Sequence, residues 1–173
     1  YMDSVMAPVG CTHSYFYNLG ETWTTNGHTA LTTGIYQSIN NTGGEYPQKP
    51  GIFQHYLKKH PDEAHLVWLI TSKDKLQVLS DCKDLKWKKK YIASTDCGNN
   101  GLGTGYRHDS ITFKRVIYAL EVHKPKVLFV NFREPDFSGH QGDWNAYIRG
   151  IQQTDSMVHE IWKFLESDPA YHG

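Results

Sequence analysis

The run Thr24-Thr25-Asn26-Gly27-His28, continuing to Thr32-Thr33-Gly34, places a hydroxyl where a short helix is expected to begin. A helix N-terminus presents unpaired N–H groups and a partial positive charge, so it suits an anion. A hydroxyl there can attack a phosphoryl or sulfuryl group. Threonine is a weak nucleophile at its ordinary pKa and needs a base or a metal to help it. No base stands near Thr24 in the sequence, so a metal is implied. Taken alone, an N-cap role for Thr24 is the simpler reading. Asn26 or Asn41 is the candidate donor to a non-bridging oxygen of the substrate. Turn chemistry accounts for either equally, and better for Asn41. His28, inside the helix, fits a structural and a functional role alike.

The second constellation is Arg133-Glu134-Pro135-Asp136-Phe137-Ser138-Gly139-His140. Asp136 and His140 offer one carboxylate oxygen and one imidazole nitrogen, a mixture suited to zinc or manganese. The D-x-x-x-H spacing alone often arises by accident. Here it follows the apolar run Lys126–Phe132, and open α/β sheets bind ligands at the carboxyl ends of their strands.

The elements that must hold these residues read as alternating helix and strand. His13–Asn18 has strand propensity. Asn26–Thr33 reads as a short helix with Gly34 as its stop. Residues 40–50 are a loop. Ile52, Phe53, Tyr56 and Leu57 recur at helical spacing, stopping near Pro61. His65–Thr71 and Lys126–Phe132 are continuous apolar runs, as in strands buried on both faces. A short helix is expected over Lys73–Leu79, a short strand over Tyr91–Ser94, a glycine-rich loop over residues 96–107 and a helix from Ser110. The basic run 83–90, broken by Trp87, reads as a solvated loop. Trp144, Tyr147, Ile148, Ile151, Val158, Ile161, Trp162 and Leu165 form one helical stripe that ends at Asp168-Pro169. The fold class is α/β: a three-layer α/β/α sandwich with a mainly parallel sheet, in a single domain over residues 1–173.

Composition narrows the function. Lys+Arg and Asp+Glu balance at 18 each, so no charge excess points to nucleic acid or a membrane surface. No apolar run reaches the roughly 18 residues that span a bilayer. The three cysteines lack C-x-x-C spacing. Free thiols are favoured over a Cys82–Cys97 pair. Asn40-Asn41-Thr42 fits the glycosylation sequon, a match that is common by chance.

The quoted segments resemble the alkaline phosphatase superfamily, and within it the type I phosphodiesterase/nucleotide pyrophosphatase family. Thr24, His28, Thr33 and Gly34 match that family's T-x-x-x-H…T-G spacing. Glu134, Pro135, Asp136, Gly139 and His140 match its E-P-D-x-x-G-H segment. Asp155, inside the last helix, is a further point of likeness. The resemblance implies Thr24 as nucleophile and Asp136 and His140 as ligands of one of two divalent ions, normally zinc. The implied substrate is a small-molecule phosphate mono- or diester, and an extracytoplasmic setting is favoured. The family also has a metal-binding Asp on an initial strand and a later Asp-His-Gly strand. Neither is expected here: Asp3 has no apolar strand ahead of it, and His172-Gly173 has no apolar run before it. The chain therefore reads as the interior of a catalytic domain, incomplete at both ends. It is expected to be inactive alone, to bind metal weakly and to associate through an exposed sheet edge. His13, His108 and His172 are the first substitutes for the missing ligands. A phosphomutase or sulfatase of the same superfamily, or a non-catalytic binding domain, is the alternative. The sulfatase C/S-x-P-x-R segment is not present at Thr24.

Overall fold

The computed structural model describes residues 1–11, 13–15 and 17–171. In chain order they form α1 (Ala7–Val9), α2 (Thr24–Thr33), α3 (Ile52–Lys59), β1 (Val67–Thr71), β2 (Ser94–Cys97), α4 (Asp109–Val122), β3 (Val127–Asn131), α5 (Asp136–His140) and α6 (Trp144–Ser167). Tight 3-10 turns at Pro61–Leu66 and Asp74–Ser80 flank β1. Asn18–Asn131 makes one compact unit, and Tyr1–Tyr17 with the chain from Phe132 onward makes another.

In the first of these units the apolar run His65–Thr71 becomes the central strand of a parallel sheet ordered β2-β1-β3. Side chains alternate across a strand, so Val67, Leu69 and Thr71 face one way and Trp68 and Ile70 the other. On the first face Val67 and Leu69 meet Phe53 and Leu57 of α3, with Leu76, Leu79, Ala93 and Cys97 completing the core. On the second face Trp68 stacks on His123, just beyond α4, at 4.5 Å between ring centroids. Helices thus cover both faces of the sheet, and the α/β class with a parallel sheet is observed. β1 is buried almost throughout, whereas β3 is half-buried along its whole length because β1 is its only partner strand among the described residues.

Asp74, just past β1, shapes the glycine-rich loop that follows β2. Its Oδ2 accepts the N–H groups of Gly103 and Gly105, each at 3.0 Å. Gly98 sits at φ +60°, and a Cβ there would lie 2.3 Å from the Asp74 Cβ. Only glycine fits that contact and that conformation.

In the other unit Asp143 caps α6, its Oδ1 accepting the Ala146 N–H at 2.9 Å. The stripe expected for this helix is present. Val158, Ile161, Trp162 and Leu165 are half-buried, and Trp144, Ile148 and Ile151 are exposed.

Some local expectations shift. The strand near residue 91 begins at Ser94 instead, where Ser94 pairs with Trp68. Among the described residues of 13–18 there is a turn at Ser14 and Tyr15 and no strand. Strand propensity there has no ladder partner to satisfy it. Phe16 and His172-Gly173 lie outside the described residues. The cysteines are free thiols, Cys11 exposed and Cys82 and Cys97 buried.

Candidate active site

Gly34, at φ +71°, ends α2 in the left-handed conformation that the sequence anticipates. At the other end the N-cap is Trp23, and Thr24 is the first helical residue. The simple capping role for Thr24 therefore does not hold. Capping comes from a distance: the Asn41 side-chain oxygen accepts the Thr25 N–H at 3.0 Å. Lys75 Nζ donates to the same oxygen at 3.3 Å. A lysine and an asparagine thus stand at the end of α2 that already favours negative charge. Lys73 and Lys75 both lie over the Tyr106 ring, 5.8 and 5.9 Å from its centroid.

His28 ties this end of α2 to the sheet. Asn131 Nδ2, at the carboxyl end of β3, donates to His28 Nε2 at 3.2 Å, and His28 Nδ1 stands 2.7 Å from the Thr24 carbonyl oxygen. With Nε2 accepting, the ring proton belongs on Nδ1, where it donates to Thr24. Phe129 meets the imidazole edge-on. Asn26 is buried, and its amide nitrogen donates to Glu21 at 2.5 Å. One of the two N–H donors of the Asn26 amide is therefore engaged by Glu21.

In the other unit the segment Asp136–His140 is one turn of helix, α5. Residues four apart on a helix share a face. Asp136 Oδ1 and His140 Nε2 accordingly lie 3.6 Å apart, both largely exposed. They line a cavity of about 340 Å³ with Pro135, Gly139 and Tyr147. Two ligand atoms on one tetrahedral zinc, each about 2.1 Å from it, are separated by about 3.4 Å. The pair therefore fits two positions of one ion. Among the described residues no group of three or more His, Cys, Asp or Glu is arranged to hold a metal. His108 serves elsewhere: its Nδ1 accepts the Ser110 N–H at 3.3 Å and caps α4. His13 Nε2 lies 3.4 Å from Cys11 Sγ.

A polar network at the carboxyl ends of β1 and β2 had no sequence signal. Arg107, 3% exposed, pairs with Asp96 and donates to Thr112 Oγ1 at 3.0 Å. Ser72 donates to Asp109 at 2.5 Å. Lys75, by contrast, had one, since Ser72-Lys73-Asp74-Lys75 directly follows the apolar run of β1.

Residues 99–171 match the Metalloenzyme superfamily. That match includes α5 with Asp136 and His140 and supports the alkaline-phosphatase-like resemblance at superfamily level. Divalent-metal use comes with that superfamily. The 2,3-bisphosphoglycerate-independent phosphoglycerate mutase of Nitrosococcus oceani is 23% identical over 135 residues, 73% of this chain and 23% of the mutase. The mutase of the same name from Legionella pneumophila is 22% identical over 132 residues, 75% of this chain and 24% of its own length. The chain thus spans about a quarter of the length of the curated relatives it matches. Both curated relatives are named as mutases, so the likeness to the phosphodiesterase/nucleotide pyrophosphatase family in particular is not supported by them. No solved structure gives a significant match. No helix among the described residues is long and apolar enough to cross a membrane.

Proposed function

We propose that the protein transfers a phosphoryl group of a small-molecule phosphate ester, with Thr24 as nucleophile and with Asp136 and His140 holding one of two divalent ions. The observation that carries this reading is the Asp136–His140 pair, 3.6 Å apart beside its cavity. Zinc is the first choice of ion for one oxygen and one nitrogen ligand, and manganese the second. When bound, such ions would neutralise charge on a transferring phosphoryl group. The chain's own residues do the rest. Thr24 Oγ1 forms a bond to phosphorus as the ester oxygen leaves with the hydroxyl proton, and an acceptor hydroxyl then takes the group from the phosphothreonine while its own proton restores the Thr24 hydroxyl. Lys75 and the Asn41 amide favour the anion at the first turn of α2. His28 holds the Thr24 carbonyl and so the start of the helix.

We favour transfer to a second hydroxyl of the substrate, a mutase reaction, because both curated relatives are phosphoglycerate mutases. Hydrolysis is the second reading, supported by the spacing of Thr24, His28, Thr33 and Gly34. In this reading residues 1–173 are part of one alkaline-phosphatase-like catalytic domain. Because residues 1–173 alone are expected to be inactive, the test offers that whole catalytic domain a phosphoglycerate, p-nitrophenyl phosphate and bis-p-nitrophenyl phosphate with zinc or manganese. Isomerised phosphoglycerate without free phosphate is the expected result. Free phosphate or nitrophenol in proportion to turnover would put hydrolysis first. Turnover that survives Thr24→Ala would remove Thr24 from either mechanism.

A further inference from the structure

We propose that Glu134, seated against Gly150, is a positioning residue that sets the spacing of Asp136 and His140. The inference rests on the metal-ligand reading of that pair. α5 is only five residues long, too short to hold its own shape by internal hydrogen bonds. Its early N–H groups need partners from outside the helix. Glu134 supplies one: its Oε2 accepts the backbone N–H of Ser138 at 3.1 Å and the Ser138 hydroxyl at 2.7 Å. A carboxylate acceptor makes these bonds stronger than neutral ones. Ser138 is buried and lies midway between Asp136 and His140. Fixing Ser138 therefore fixes the rotation of the turn on which both ligands stand. The other oxygen, Oε1, lies 3.8 Å from Arg133 Nε, and the Arg133 guanidinium rests over the Phe137 ring at 4.6 Å.

Glu134 can stand there only because α6 has no side chain at the point of contact. Gly150 is the one buried position of α6 among the described residues. A Cβ on it would lie 3.2 Å from the Glu134 Cβ, 3.3 Å from its Oε2 and 3.3 Å from the Pro135 Cα. Carbon atoms in ordinary contact sit about 3.5–4.0 Å apart. Glycine is a poor helix former, and the close approach of the Glu134-Pro135 backbone explains its presence here. α6 also faces α5 at Tyr147, whose ring would lie 3.4 Å from a Cβ on Gly139.

The test is a zinc titration of the protein followed by NMR of the His140 ring, with far-UV circular dichroism as a check on helix content. Glu134→Ala and Ser138→Ala should each weaken zinc binding about 10–100-fold, as is typical when an outer partner of a metal ligand is lost. Glu134→Gln keeps an oxygen for Ser138 and should restore most of the affinity. Gly150→Ala should weaken binding while helix content holds or rises, because alanine is the better helix former. Asp136→Ala serves as the reference loss. If it abolishes zinc binding while Glu134→Ala and Ser138→Ala bind as wild type, the positioning role is refuted and the ligand reading stands. If Asp136→Ala changes nothing, both fall together.

Discussion

Asn41 is the residue at which stability and function can be pulled apart. Asn41→Ala leaves the Thr25 N–H without its acceptor, and Thr25 is fully buried. An unpaired buried donor costs about 1–3 kcal/mol, more than the roughly 1 kcal/mol typical of a lost cap. For a chain of 173 residues each kcal/mol lowers Tm by about 2–4 °C. A loss of about 2 kcal/mol therefore predicts a drop of about 4–8 °C. Asn41→Asp should behave differently. It keeps an oxygen 3.0 Å from the Thr25 nitrogen and adds a negative charge 3.3 Å from Lys75. Stability should hold or rise by roughly 0.3–1 kcal/mol, as expected for an acidic group at a helix N-terminus. The same charge repels a phosphate, so KM should rise sharply. Thermal melts and steady-state kinetics on the two variants separate the effects. If Asn41→Asp melts as low as Asn41→Ala, the capping geometry is wrong. If its KM is unchanged, Asn41 and Lys75 do not face the substrate anion.

Thr24→Ala should lower kcat by several orders of magnitude yet shift stability by less than about 0.5 kcal/mol, because Trp23 and not Thr24 occupies the N-cap; a matching loss of Tm would return Thr24 to a structural role. Glu63 accepts hydrogen bonds from Lys126 and Tyr56, which hold its carboxyl below the ordinary value. With the folded pKa depressed, its stabilisation is present above the unfolded pKa and lost as pH falls through the folded one. Glu63→Gln should flatten this acid-side loss in melts recorded against pH, and an unchanged profile would show that the cluster is not a source of it. Burial pushes the Cys97 thiol up to about 11, so at neutral pH a thiol reagent should label Cys11 in the native protein and reach Cys82 and Cys97 only after denaturation. Rapid native labelling of Cys97 would mean that β2 opens readily.

What could be read from the sequence was whatever local chemistry dictates. Gly34 had to end α2 because few residues tolerate its backbone conformation, and β1 declared itself as an unbroken apolar run. The shared face of Asp136 and His140 followed from their spacing once the segment was helical. β2 was displaced because Ser94-Thr95-Asp96-Cys97 carries no apolar signal, and pairing with β1 alone decides where it starts. The features that stayed hidden are long-range. Asn41 caps a helix from a separate loop, Arg107 finds Asp96 across the glycine-rich segment, and Glu134 depends on a glycine in the next helix. Each of those side chains is ordinary in its own neighbourhood and acquires a role only when another element arrives beside it.

The glycine-rich loop held by Asp74 limits how this chain can vary over generations. An exposed, glycine-rich stretch usually drifts freely, yet here Gly98 leaves no room for a Cβ beside Asp74, and the amides of Gly103 and Gly105 end on that one carboxylate. Position 74 and the glycines at 98, 103 and 105 are therefore coupled through one carboxylate and one close contact. An exchange at one of them is tolerated only when another answers it, and a lineage that lost Asp74 would have to rebuild the whole loop.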